Sequence, residues 1–134
     1  MSNEAPPRTE AIVTVRGLTR DYPQGTLTVH ALRGVDLDIG RGEFTALMGP
    51  SGSGKTTLLN MMGGLDEPSG GKVVVDGQDL GSLSRGQLSD LRLKRIGFVF
   101  QSYNLIPVLT AVENAEFVLM LRGEPKGRRR ERAM

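Results

Sequence analysis

The chain has no cysteine and no tryptophan, a single histidine, two tyrosines and four phenylalanines in 134 residues. Without cysteine there is neither a disulfide nor a thiolate metal site, and a cytoplasmic location is the expectation. No apolar run approaches the ~18 residues of a membrane span. The N-terminus, through Arg8, lacks the apolar core of a signal peptide, and residues 1–11 read as a disordered lead-in. An excess of one charge is missing as well. The net charge is only +2, so no global field favours nucleic acid, and none is expected as a partner. Basic side chains gather only near the end, at Lys126, Arg128, Arg129, Arg130 and Arg132. That run reads as a solvated helix face rather than a nucleic-acid or lipid patch.

What is present is ordinary for one soluble domain, with 38% apolar and 24% charged residues. Glycine is the exception. It supplies 18 of the residues, about twice the usual ~7%, which fits many turns and a phosphate-binding loop.

That loop is explicit. Gly49, Pro50, Ser51, Gly52, Ser53, Gly54, Lys55 and Thr56 spell G-x-x-x-x-G-K-[ST]. Residues 44–48 before it read as a buried strand, and residues 55–62 after it as a helix ending at Gly63 and Gly64. Strand, glycine-rich loop and helix together are the context in which the pattern is a site. Gly52 and Gly54 allow backbone angles closed to other residues, so successive N–H groups converge on phosphate oxygens. The helix adds the positive end of its dipole. Lys55 suits the β- and γ-phosphates as a compact charge, and the Thr56 hydroxyl suits Mg²⁺, a hard cation that prefers oxygen. The competing reading is a Gly/Ser-rich turn before a core helix.

The rest of the chain alternates strands and turns at first. Residues 12–16, 27–32 and 35–39 read as strands, with Gly25, Gly34, Gly40 and Gly42 as turns, giving a small, mostly antiparallel sheet. Residues 72–75 form another strand, closed by an Asp76-Gly77 turn. Ser84 with Gln87, and Thr110 with Glu113, have capping-box spacing and open two helices. Between those helices, residues 96–100 read as a buried strand and residues 101–109 as a loop. Residues 128–134 look like the first turns of a helix cut short, with nothing evident to hold it.

Beyond the phosphate loop the residues resemble a known family. Asp21-Tyr22, residues 30–37, 49–57 and 95–107 are similar to the ATPase subunit of ATP-binding cassette (ABC) transporters. The lipoprotein-release and macrolide-export type is nearest. The resemblance runs from about residue 12 to the end. It implies an α/β P-loop NTPase of ABC type: an N-terminal antiparallel β-subdomain, an incomplete parallel core sheet and the start of the helical subdomain. Residues 12–134 would then be a partial nucleotide-binding domain, truncated before the signature motif and Walker B.

The same resemblance implies ATP and Mg²⁺ as ligands. Tyr22 would stack on adenine, residues 49–57, including Thr57, would hold the phosphates, and Gln101 would sense Mg²⁺ or the attacking water. It implies a membrane-spanning permease partner and a second, head-to-tail ATPase subunit, with the apolar residues 103–109 near the surface that meets the permease. The alternative, that these apolar residues cover the domain's own core, stays open.

Two segments imitate family motifs. Residues 83–87 are close to Leu-Ser-Gly-Gly-Gln, but they precede Gln101, and Arg85 stands where a glycine should approach phosphate. Residues 73–76 could pass for Walker B, but Gly77 follows where the catalytic Glu is expected. The signature, Walker B with its Glu, and the switch His are thus missing; His30 lies upstream of the loop and reads as a surface residue. No general base is evident.

The leading expectation is an export ATPase subunit present as an N-terminal fragment unable to hydrolyse ATP alone. The strands that should flank residues 44–48 in a core sheet buried on both faces are not evident, so poor solubility or partial order is expected of the isolated chain. Alternatives are a non-hydrolysing nucleotide-binding module from a truncated gene, a nucleic-acid-associated cassette ATPase, and an unrelated P-loop kinase or GTPase.

Overall fold

A computed structural model describes residues 10–134. The reading of residues 1–9 as a lead-in lies outside the described residues. The chain falls into two compact units, one ending at Leu88 and the other spanning Ser89–Met134.

In the first unit, β1 (Ala11–Gln24) and β2 (Leu27–Gly40) form a long antiparallel hairpin turning at Gly25. β3 (Gly70–Val75) lies antiparallel on the other side of β1, and β4 (Gln78–Asp79) pairs with β3, giving the order β2-β1-β3-β4. The expected antiparallel sheet is therefore present. The alternating β-branched residues decide its buried face. Val15 pairs with Val73, and both are buried, together with Leu18, Leu32 and Val75.

Gly34 does not act as the expected turn. It takes φ 88° yet stays inside β2, while Gly17, at φ 54°, sits at a register shift of β1 between Val15 and Leu18. An extra residue in one strand bends a ladder without ending it, so two short strands become one long one. Gly40 likewise closes β2 from within. The Asp76-Gly77 hairpin turn forms as expected, with φ values of 48° and 77°. Pairing of β1 with β3 runs only from Val13 to Thr19, whereas pairing with β2 continues to Gln24. Beyond Thr19 the hairpin is a two-stranded ribbon.

Helix α1 (Lys55–Met62) packs on this sheet through Leu58 and Met61. It ends where Leu65 N–H donates to the Asn60 carbonyl at 2.8 Å and Gly64 takes φ 63°. Residues 44–48, expected as a strand, form none. No described strand pairs with them, and Phe44 and Met48 are 98% and 90% exposed. A strand exists by its ladder, and without a hydrogen-bonded neighbour the segment stays irregular.

Helix α2 (Arg85–Arg95) begins with the expected reciprocal cap. Ser84 N–H donates to Gln87 Oε1 at 2.9 Å, and Gln87 N–H donates to Ser84 Oγ at 3.3 Å. In the second unit, residues 96–100 also fail to form the expected strand, for the same reason. Val99 is fully exposed, and the Phe98 and Phe100 rings stack at 5.8 Å. α3 (Ala111–Leu121) opens on the Thr110–Glu113 capping box. Asn114 ties the preceding loop down. Its Oδ1 accepts from Ile106 N–H at 2.7 Å, and its Nδ2 donates to the Ile106, Leu109 and Thr110 carbonyls.

α4 (Lys126–Ala133) has the anchor that the sequence did not reveal. Buried Glu116 of α3 lies 3.9 Å from Arg129 and 3.6 Å from Arg130, and Glu124 pairs with Arg132. The basic run is thus partly an ion-paired contact between two helices and not only a solvated face.

Candidate nucleotide site

Residues 49–54 leave the irregular segment and turn into α1. Ser53 N–H donates to the Pro50 carbonyl at 3.2 Å, and Gly52 and Gly54 take φ values of 78° and 90°. Gly54 caps the helix with no side-chain hydrogen bond, so the first-turn N–H groups are not satisfied by a side-chain cap. Glycine is required there for a second reason. A Cβ at Gly54 would lie 2.6 Å from the Ala31 carbonyl oxygen and 3.2 Å from Leu32 Cδ2, so the loop can rest against β2 only without a side chain.

Lys55 folds back into the loop. Its ammonium donates to the Gly49 carbonyl at 2.8 Å, the Pro50 carbonyl at 2.7 Å and Ser53 Oγ at 3.0 Å. These bonds hold one positive charge at the head of α1.

A cavity of about 670 Å³ opens here, lined by Ser51, Gly52, Gly54, Lys55, Thr56 and Thr57 on one side and by Thr28, Val29, His30, Ala31 and Arg33 of β2 on the other. Its walls combine hydroxyls, a helix start and two basic side chains, with no carboxylate among them. That donor set fits a polyanion with room for several phosphates. Gly49, Pro50 and Ser53 instead line a neighbouring opening of about 480 Å³ beside residues 46–48, which Gly54 and Lys55 also border. Among the described residues, no group of three or more His, Asp or Glu could hold a metal. A cation would depend on ligand oxygens together with a hydroxyl such as that of Thr56, the kind of set Mg²⁺ accepts.

Tyr22 lies opposite Val29 across the hairpin. Val29 lines the cavity, whereas Tyr22 is half-buried and is not itself among the lining residues. Its hydroxyl donates to Asp66 Oδ2 at 2.9 Å, and the Arg20 guanidinium lies 4.5 Å from its ring centroid. Arg20 also donates to Asp66 Oδ1 at 2.9 Å. The Tyr22 hydroxyl first, and the Asp66 carboxylate after it, raise the Arg20 pKa against the opposing effect of burial.

His30 is exposed, as expected, but it also lines the cavity. Its Nδ1 lies 2.7 Å from Asp21 Oδ1. Sequence reasoning missed this placement and the roles of Arg20 and Asp66. The only available signal was the alternation that puts neighbouring hairpin residues on opposite faces. Gln101 belongs to the second unit, exposed just after Phe100. The two imitating segments are structural. Asp76 sits in its turn and accepts from Arg41 at 2.6 Å, and Ser84 and Gln87 cap α2.

Three kinds of comparison point to one family. The family model described as "ABC transporter" matches residues 32–134. The macrolide export ATP-binding/permease protein MacB of Brucella abortus is 47% identical over 122 residues, covering 91% of this chain and 19% of that protein. The uncharacterized ABC transporter ATP-binding protein MJ0796 of Methanocaldococcus jannaschii is 44% identical over 126 residues, covering 92% of this chain and 54% of that one. A dimeric structure of the MJ0796 cassette in a post-hydrolysis state, bound to ADP and Pi, superposes with a TM-score of 0.86 at 44% identity. That match covers 90% of this chain and 53% of the other. The chain thus spans about a fifth of the MacB relative and about half of the single-cassette relative. With this fold and this loop, the chain belongs to the ABC transporter family and corresponds to part of its ATP-binding module.

Proposed function

We propose that the chain binds MgATP as the nucleotide-holding part of an ABC transporter ATPase. In the complete protein, binding and hydrolysis would drive export through a membrane-spanning permease partner, at the inner face of the cell membrane, with two ATPase subunits paired head to tail. The observation that carries the reading is the Lys55 ammonium, held by three loop oxygens at the head of α1 beside a cavity without carboxylates.

In this reading the N–H groups of residues 49–54 and the α1 start hold the phosphates. Lys55 exchanges its loop oxygens for β- and γ-phosphate oxygens. The Thr56 hydroxyl is the protein ligand for Mg²⁺, which neutralises phosphate charge when bound, and Thr57 adds a hydroxyl at the cavity wall. Tyr22 offers a flat face to the adenine, and Gln101 senses the γ-phosphate, a role that follows from the resemblance. Among the described residues lining the cavity there is no carboxylate, so the role proposed for them is to bind and orient the nucleotide.

MacB's name joins export, ATP binding and a permease, and the MJ0796 cassette is dimeric with ADP and Pi, which supports the same assignment here. Isothermal titration with MgATP tests it. Lys55→Ala is expected to weaken binding roughly 10- to 100-fold, the worth of a charged hydrogen bond. Equal affinity in the two proteins would refute the assignment of Lys55.

A further inference from the structure

We propose that Arg20 and Asp66 act as a clamp that sets the Tyr22 ring as the platform for the nucleotide base, so that both are positioning residues for base recognition. The inference rests on the nucleotide reading above and adds to it the residues that orient the base.

The geometry is a closed ring of contacts. Tyr22 O–H donates to one carboxylate oxygen of Asp66 at 2.9 Å, and Arg20 donates to the other at 2.9 Å. The guanidinium then lies 4.5 Å from the Tyr22 ring centroid. One ring face is therefore covered by a cation, which leaves stacking on a base to the opposite face. The phenol hydrogen bond fixes the far end of the ring, and the guanidinium over one face biases its plane. The carboxylate is itself held, because Asp66 Oδ1 also accepts from Glu67 N–H at 2.8 Å.

Position in the fold gives the clamp its use. Tyr22 sits on the part of the hairpin that pairs with β2 alone, so the sheet supports it on one side only. Asp66 follows directly on the end of α1, where Leu65 N–H is bound to the Asn60 carbonyl. The same helix starts at Lys55. The clamp thus ties the base platform to the element that carries the phosphate loop, and the separation of base and phosphate contacts is set through α1. Arg20 Nε is buried without a hydrogen-bond partner, a cost that a tie serving stability alone does not explain.

The test uses the 134-residue chain with Tyr103→Phe, which leaves Tyr22 as its only tyrosine and, with no tryptophan, its only strong fluorophore. Asp66→Ala, Tyr22→Ala and Lys55→Ala are titrated with MgATP and with magnesium tripolyphosphate, which has the phosphates and no base. The expected result is that Asp66→Ala weakens MgATP about tenfold, within the range for lost base stacking, and leaves tripolyphosphate unchanged. Tyr22 fluorescence should also rise as the quenching carboxylate leaves its hydroxyl.

Unchanged MgATP affinity in Asp66→Ala, with a loss in Tyr22→Ala, would overturn the clamp and leave the site reading intact. An equal loss for both ligands would show a purely structural tie and also overturn it. Indifference of MgATP binding to both Tyr22→Ala and Lys55→Ala would overturn the site reading, and the clamp with it.

Discussion

The closest backbone approach in the sheet gives the sharpest stability prediction. Gly71 and Gly77 have similar backbone angles, φ 84° and 77°, so replacing either by alanine forces a side chain into the left-handed region. That alone costs about 1–3 kcal/mol. The surroundings differ. A Cβ at Gly77 meets nothing within 4 Å, whereas one at Gly71 would lie 2.4 Å from the Gly17 carbonyl oxygen and 2.6 Å from the Arg16 carbonyl oxygen.

Those atoms are backbone, held beneath β3 by the β1 bulge, and cannot swing away as a flexible side chain could. Overpacking of this kind adds about 1–3 kcal/mol. Gly71→Ala should therefore destabilise the first unit by about 2–6 kcal/mol in all, and Gly77→Ala only by the backbone strain of about 1–3 kcal/mol. Urea unfolding followed through Tyr22 fluorescence, in a Tyr103→Phe background, measures both. Equal losses in the two variants, or less than about 1 kcal/mol at Gly71, would refute the close-approach argument.

Other consequences can be measured directly. Asn114→Asp removes the amide that donates to three carbonyls and puts an anion in its place; it should cost about 2–3 kcal/mol and speed proteolysis within residues 101–109, and an unchanged cleavage rate would count against it. Glu113 has its pKa lowered, first by the hydrogen bond from the Thr110 backbone N–H and then by the Thr110 hydroxyl. A depressed folded-state pKa gives stability that is present above the ordinary glutamate value and is lost as pH falls through the folded one. The Glu113 carboxyl should therefore titrate by NMR below 4.5, and the start of α3 should loosen in step; a midpoint at or above that value would contradict the capping geometry. Phe44, Met48, Val99, Tyr103 and Val108 are all at least 88% exposed, so the isolated chain should bind a hydrophobic dye and scatter light increasingly with concentration. A monodisperse monomer without dye binding would refute that.

Local chemistry was legible in the sequence wherever it was self-contained. The phosphate loop, both capping boxes and the Asp76-Gly77 turn depend on residues a few positions apart, and each formed as its spacing predicts. Three kinds of feature were not legible. Glycine reads as punctuation, so Gly17 and Gly34 hid the continuity of β1 and β2, which depends on how two strands bulge together. Residues 44–48 and 96–100 have the composition of buried strands, but a strand also needs a neighbour, and composition does not provide one. The ties of α4 to Glu116 and of Tyr22 to Asp66 join distant positions with no motif between them. For the candidate site, the residues proposed to meet phosphate were readable and those proposed to orient Tyr22 were not.

The unequal pairing of β1 has a mechanical meaning. A ladder held on both sides up to Thr19 and on one side beyond it behaves as a beam fixed at one end, stiff at its root and compliant at its tip. The tip carries Tyr22 and His30, while the root is braced by β3. A load at the tip, such as a flat ring pressed against Tyr22, deflects the beam unless something props it. The carboxylate of Asp66 meets the beam part-way along its free length, where a strut resists bending while leaving the extreme end at Gly25 free to yield.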